Sequence, residues 1–209
     1  GFTLLGELVT RLSGVFVHEY IEKNLLTPCE MTDSGFWKTM IKRPDFKERV
    51  FIQYPDFVRH LNEPEKENDP RSLIPSTGGG LHSTVLDLVK FGQMLANGGY
   101  YKGNRIIGRN TIEKMGSVHI KKGVKNFSWN APGYDMVYGL GPQIVFGDQY
   151  MAPPGVFYHE GWGRAILMVD PNEKFSLAYY VPQTNPDVWD LLSNESTFNP
   201  TNIMYSGLI

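Results

Sequence analysis

The sequence predicts an α/β fold of the α+β type, with helices in its first two thirds and antiparallel strands in its last. Three observations carry this. Leu4, Leu5, Leu8 and Leu12 recur at helical spacing near the start. A capped apolar helix follows the run Gly78-Gly79-Gly80. From Tyr134 onward the apolar period shortens toward that of strands. Residues 1–133 are accordingly read as a mainly helical part, broken by a proline-rich irregular excursion at 32–75, and residues 134–209 as antiparallel strands with a tail.

The first helix should cover residues 3–13, because Gly14 stands where a left-handed cap would end it. Val17, Tyr20, Ile21 and Leu25 form a second apolar set that stops before Pro28, so the two helices make a hairpin. In the excursion, Pro44, Pro55, Pro64, Pro70 and Pro75 remove donors and fix φ, leaving room only for a strand at Arg49 to Tyr54. Thr84 with Asp87 has the form of a capping box, Val85, Leu88, Val89, Gly92, Leu95 and Ala96 follow, and Asn97-Gly98-Gly99 supplies the stop, which defines a helix over 84–96. A short helix should begin at Asn110 or Thr111, after a turn at Lys102-Gly103-Asn104. Tyr138 to Phe146, Ala165 to Asp170 and Phe175 to Val181 read as strands, the last two joined across a turn-rich spacer. The tail offers one helical candidate, Asp187 to Leu192.

Composition narrows the functional classes. With 41% hydrophobic and 20% charged residues over 209 positions, the chain is built to pack a core. Lys and Arg (20) nearly balance Asp and Glu (22), which leaves no basic footprint for nucleic acid or an anionic membrane surface. No apolar run approaches the ~20 residues of a membrane helix. The single cysteine, Cys29, excludes an internal disulfide and a multi-cysteine zinc site, and reads as a small buried apolar residue. The chain starts without Met or a basic n-region and enters a helical pattern at once, so it is expected to be a piece of a longer protein.

Several motifs carry little chemistry. Gly78-Gly79-Gly80 lacks the Lys and Ser/Thr of a P-loop and reads as a tight turn packed on a neighbour. His18-Glu19 opens H-E-x-x-E, with Glu22 where a zinc peptidase needs histidine, and reads as a solvated helix face. His60, His82 and His119 have no second ligand at metal spacing and read as surface or turn residues. Neither a metal nor an organic cofactor is implied. Asn126-Phe127-Ser128 and Asn194-Glu195-Ser196 are glycosylation sequons of a kind that chance supplies.

Tyr158-His159-Glu160-Gly161-Trp162-Gly163 is richer, since it packs an imidazole, a carboxylate and two glycines into six residues before a strand. A glycine beside a strand lets an acyl carbonyl come close, and the next amide can point at a developing oxyanion. The same residues also fit a strand-entry turn with a structural histidine.

Three blocks taken together bear on that choice. Gly1-Phe2-x-Leu4-Leu5-Gly6-Glu7-Leu8-Val9 with Ser13-Gly14 and Glu30-Met31-Thr32-Asp33-Ser34-x-Phe36 is the first. Gly79-Gly80-Leu81-x-Ser83-Thr84-x-x-Asp87-Leu88-x-x-Phe91-Gly92-x-Met94-Leu95-x-Asn97-Gly98-Gly99 is the second, and His159-x-Gly161 followed by Val169-Asp170-Pro171 the third. In this order they resemble class C-type serine β-lactamases and their relatives, the penicillin-binding proteins, esterases and D-amino-acid peptidases, over residues 1 to about 183.

The resemblance implies a β-lactamase/transpeptidase-like fold, an antiparallel sheet flanked by helices beside a helical region, present here as an incomplete C-terminal portion. It implies acyl transfer through a serine ester, in which the serine of S-x-x-K attacks, a Tyr-x-Asn tyrosine moves protons and two amides hold the oxyanion. This chain contains neither S-x-x-K nor Tyr-x-Asn. In the family both lie upstream of the first block, so the chain is expected to be the C-terminal part of a serine hydrolase and inactive when isolated. Carried over, His159 stands for the basic residue of the third motif, Gly161 for its glycine and the Trp162 amide for the oxyanion donor, with Glu160 and Gly163 as substrate-binding neighbours. The implied partners are a small acyl, peptide or β-lactam-like substrate, and either the upstream half of the same protein or a self-association partner covering an unpaired sheet edge. The competing reading is a β-lactamase-like binding or regulatory module that no longer cleaves.

Overall fold

The computed structural model describes residues 1–50, 75–120, 123–124, 137–145, 151–161, 165–180 and 195–208. It divides into two units, Gly1–Leu88 and Val89–Ile209.

In the first unit, α1 (Phe2–Ser13) ends at Gly14, whose φ of 74° and hydrogen bond from its N–H to the Thr10 carbonyl form the expected cap. The Thr10 hydroxyl donates to the Gly6 carbonyl at 3.1 Å and accepts the Val17 N–H at 3.0 Å, fixing where the second helix of the hairpin begins. That helix, α2 (Val17–Ile21), continues as a π-helical turn over Glu22–Leu26 before Pro28. The turn at Ser76 to Gly80 packs on α1, with the Thr77 hydroxyl donating to the Phe2 carbonyl at 2.5 Å.

The excursion is more regular than its prolines predict. Its described part holds β1 (Gly35–Phe36), α3 (Trp37–Met40) and α4 (Phe46–Arg49), and β1 pairs antiparallel with β2 (Leu81–His82). Helices of four residues fit between prolines that would stop longer ones, and Pro44 falls just outside α4. Arg49 therefore ends a helix rather than opening a strand, and residues 51–54 lie outside the described residues.

Helix α5 (Val85–Ala96) starts as predicted, its Thr84 hydroxyl accepting the Asp87 N–H at 3.2 Å. Asp87 does more than cap. Only 1% exposed, its Oδ2 accepts the Asp33 N–H and the Ser34 hydroxyl, both at 2.8 Å, while Ser34 and Ser83 hydroxyls meet at 2.7 Å. The Thr32-Asp33-Ser34 and Ser83-Thr84-x-x-Asp87 blocks are thus two halves of one hydrogen-bonded joint.

Two histidines of this unit are less exposed than the sequence suggests. His18 is buried and stacked on Phe16, and the His82 ring lies 5.7 Å from that of Trp37 and 5.6 Å from that of Phe46. In both, Nδ1 is buried without a hydrogen-bond partner among the described residues. Burial holds both pKa values below the ordinary imidazole range; at His18, Lys38 and Lys42 add to this while Glu19 and Glu22 oppose it, and at His82 a hydrogen bond to the Gly80 backbone opposes it. The unfolded chain then binds protons that the folded chain refuses. Stability is fully present above the unfolded pKa near 6.5 and falls as pH drops through the depressed folded values. Melting temperature is expected to fall between pH 7.5 and pH 5, and the fall to shrink in His18→Gln.

In the second unit, β3 (Tyr100–Tyr101) and β4 (Asn104–Arg105) form a hairpin across Lys102 and Gly103, both at positive φ, and α6 (Arg109–Met115) follows. The main sheet has four antiparallel strands in the order β5 (Gln143–Ile144), β6 (Phe157–Glu160), β7 (Ala165–Asp170) and β8 (Phe175–Tyr180). Among the described residues the expected strand from Tyr138 is reduced to β5 and two isolated bridges at Tyr138, one to Ile120 and one to Gln143, the latter formed because a turn containing Gly141 at φ 112° brings Tyr138 back onto Gln143. Phe146 and Val181 fall outside the described residues, as does the helical candidate at Asp187 to Leu192. The tail instead forms α7 (Glu195–Ser206), with Pro200 inside it.

Helices cover both faces of this sheet. On one, α5 approaches so closely that a Cβ on Gly92 would lie 2.8 Å from both Leu167 Cδ1 and Ser176 Cβ, and Gly116 after α6 lies against Phe157. On the other, Tyr205 of α7 packs into a buried cluster with Val145, Ala152, Val156 and Met168, and its hydroxyl donates to Asp170 at 2.9 Å.

Candidate active site

Strand β6, absent from the sequence-based reading, is what positions the motif. Its register sets His159 opposite Leu167 and Glu160 opposite Ile166, and the Gly161 N–H donates to the Ala165 carbonyl at 2.7 Å to close the ladder. Side chains alternate across a sheet, so Phe157 and His159 share the face of Leu167 and Val169, where α5 and α6 lie. Phe157 is 3% exposed, whereas His159, two residues on, is exposed to solvent. The helical cover ends between them and leaves an accessible imidazole at the rim.

Glu160 falls on the opposite face with Tyr158, Ile166 and Met168. Its charge helps raise the Tyr138 and Tyr179 pKa values, which burial raises most; the Tyr138 hydroxyl accepts from Gln143 at 3.0 Å, and the Tyr179 hydroxyl is hydrogen-bonded by Thr201, itself fully buried. The fold therefore does not bring His159 and Glu160 onto one surface. Strand alternation would have separated them in the sequence had β6 been recognised.

Nothing among the described residues requires glycine at 161. Its φ is outside the left-handed range, and among the described residues a Cβ there would meet only Ala165 Cβ and the Ala165 carbonyl, both at 3.6 Å, which is ordinary contact. That contrasts with Gly92, which packing requires. The Gly161 amide is spent on the ladder. Trp162 and Gly163 lie outside the described residues.

The other candidates are buried or bonded within their own surroundings. Cys29 is wholly buried and its thiol pKa is pushed up to about 11, which makes it inert. The His119 ring is bonded within its own turn to Ser117 and the Lys114 carbonyl. Among the described residues no group of three His, Cys, Asp or Glu could hold a metal ion, and no helix is long and apolar enough to cross a membrane. His60, Asn126 and Asn194 lie outside the described residues.

A four-stranded antiparallel sheet with helices on both faces agrees with the antiparallel sheet flanked by helices that the resemblance implies. The beta-lactamase family model matches residues 1–193. The chain belongs to the beta-lactamase family. Protein Rv1367c of Mycobacterium tuberculosis is 26% identical over 200 residues, covering 88% of this chain and 48% of the relative. The structure of simvastatin synthase (LovD) from Aspergillus terreus superposes with a TM-score of 0.70 at 18% identity, over 98% of this chain and 54% of that one. A penicillin-binding protein homolog from Caulobacter crescentus gives 0.61 at 18% identity, over 92% and 55%. This beta-lactamase-family chain thus spans about half the length of the proteins it matches, so its β-lactamase/transpeptidase-like fold is present in part.

Proposed function

We propose that this chain is the C-terminal part of a serine acyl hydrolase and supplies the third active-site motif and the oxyanion wall, with the S-x-x-K serine and the Tyr-x-Asn tyrosine on an upstream segment. The observation that carries this is Gly161, a glycine for which the described residues show no conformational or packing need, at a strand end beside an exposed imidazole. An absent side chain there suits the approach of a substrate carbonyl, and the Trp162 amide is assigned the role of meeting the charge that develops when the serine attacks.

In this reading the serine hydroxyl adds to the carbonyl, the negative charge moves to the carbonyl oxygen at the Trp162 amide, and collapse expels the leaving group to give an acyl-serine that water releases. His159 orients the substrate at the rim, and Gly163 gives the chain room beside it. Glu160, on the other face, is assigned no direct contact. An imidazole is not the permanent cation that a lysine presents to a substrate carboxylate, which favours esters or peptides over carboxylate-bearing β-lactams. Without the upstream serine the isolated chain should not turn over.

Hydrolysis of a chromogenic ester by the protein carrying its upstream segment tests this. Loss of activity on changing the S-x-x-K serine to alanine is expected. Activity that survives the change rules the mechanism out, and an upstream segment with neither motif makes the chain a binding module.

A further inference from the structure

We propose that Tyr179 is a positioning residue for the third motif, holding the end of β6 in place through the hydroxyl of Thr201 on α7, an inference that rests on the functional reading above. The motif's strand is thinly supported at its end. Strand β5 pairs with β6 only at Phe157 and Tyr158, so among the described residues His159 and Glu160 have a neighbouring strand on one side alone, β7. A strand end held on one side opens more readily than the centre of a sheet. What backs β7 at that row therefore decides how firmly Gly161 is placed.

The row is Glu160, Ile166 and Tyr179, one residue from each of β6, β7 and β8, all on the face that α7 covers. Ile166 is 2% exposed and Thr201 is fully buried, so the Thr201 hydroxyl meets the Tyr179 hydroxyl in the interior, where water does not compete for the bond. Burial raises the Tyr179 pKa most and the Glu160 carboxylate raises it further, while Thr201 opposes both; the strand-end carboxylate is within electrostatic reach of the bonded pair. One helical turn further along α7, Tyr205 donates to Asp170 at 2.9 Å and sets its ring 6.0 Å from that of Phe175, at the opposite end of β7 and β8. Helix α7 carries two hydroxyl anchors, one at the hairpin turn remote from the motif and one at the row that ends in it. The first fastens the helix to the sheet, and the second passes that hold to the motif.

Ester kinetics and amide hydrogen exchange at Gly161, whose N–H donates to the Ala165 carbonyl, test this in the protein carrying its upstream segment. Tyr179→Phe and Thr201→Val are each expected to speed that exchange and to lower kcat by about tenfold, with KM unchanged. The double variant should lose no more than either single one, because both remove the same bond, and Thr201→Ser should keep both readings at their original values. Tyr205→Phe is the control: it should lower the denaturation midpoint and leave Gly161 exchange and kcat alone. A Tyr179→Phe protein that behaves as Tyr205→Phe does, that changes in nothing or that fails to fold overturns the proposal, as does additive loss in the double variant. If Thr201→Val alone fails to fold, Tyr179→Phe breaks the bond from its half-buried side and carries the test. Exchange is read without turnover, which separates the two claims: faster exchange in a protein that hydrolyses no ester upholds the anchor and removes the function, whereas hydrolysis with exchange and kcat indifferent to Tyr179→Phe does the reverse.

Discussion

Asp87→Ala is expected to destabilise the chain by about 3 kcal/mol, because it leaves two donors without their charged acceptor in a buried site. Asp87 is 1% exposed and holds the Asp33 N–H and the Ser34 hydroxyl at 2.8 Å each, besides capping α5 through its own amide. Removing the carboxylate strands both donors across a joint that connects segments 54 positions apart in the sequence. Ser83→Ala, which loses hydroxyl contacts to Ser34 and to the Thr84 carbonyl at an exposed position, should cost about 1 kcal/mol or less. Urea denaturation of the three proteins checks the ordering, and equal midpoints for Asp87→Ala and the unmodified chain would remove the joint from the account.

Gly161→Val should act on turnover and leave stability alone. Among the described residues a Cβ at 161 meets its neighbours only at 3.6 Å, so the side chain should be tolerated, while the branched methyls fill the line by which a substrate carbonyl would enter. In the protein with its upstream segment, kcat/KM for an ester should fall on the order of 100-fold, mostly in the acylation rate, as expected when a reacting group is displaced by about an ångström. The melting temperature should not move. A variant that melts early with unchanged kinetics would make Gly161 a packing residue after all.

What the sequence disclosed, and what it withheld, follows from the range of the interactions involved. Helices α1 and α5 were legible because Gly14, Thr84 and the Asn97-Gly98-Gly99 stop are local signals that act within one turn. The hairpin of β7 and β8 was legible because its turn is contiguous, with Asp170 Oδ1 accepting the Asn172 and Glu173 N–H groups. Strand β6 was not, since four residues containing His and Glu carry too short an alternation to announce a strand. Pro200 concealed α7 in the same way, by mimicking a turn. The bond from Asp87 to Ser34 has no local signature, and the burial of His18 depends on what packs over it, which no single helix pattern records. The candidate site was therefore legible as a composition, an imidazole and glycines, but the separation of His159 from Glu160 depended on a strand that only the fold reveals.

The most direct measurement is mass-spectrometric mapping of the covalent adduct formed by an activated acyl ester or fluorophosphonate. It is to be made on residues 1–209 alone and on the same chain with its upstream segment attached. The account predicts no adduct on the isolated chain and a single adduct, on the serine of an upstream S-x-x-K, in the longer protein. An adduct on any residue between Gly1 and Ile209, or none in a longer protein that still hydrolyses the ester, would contradict it.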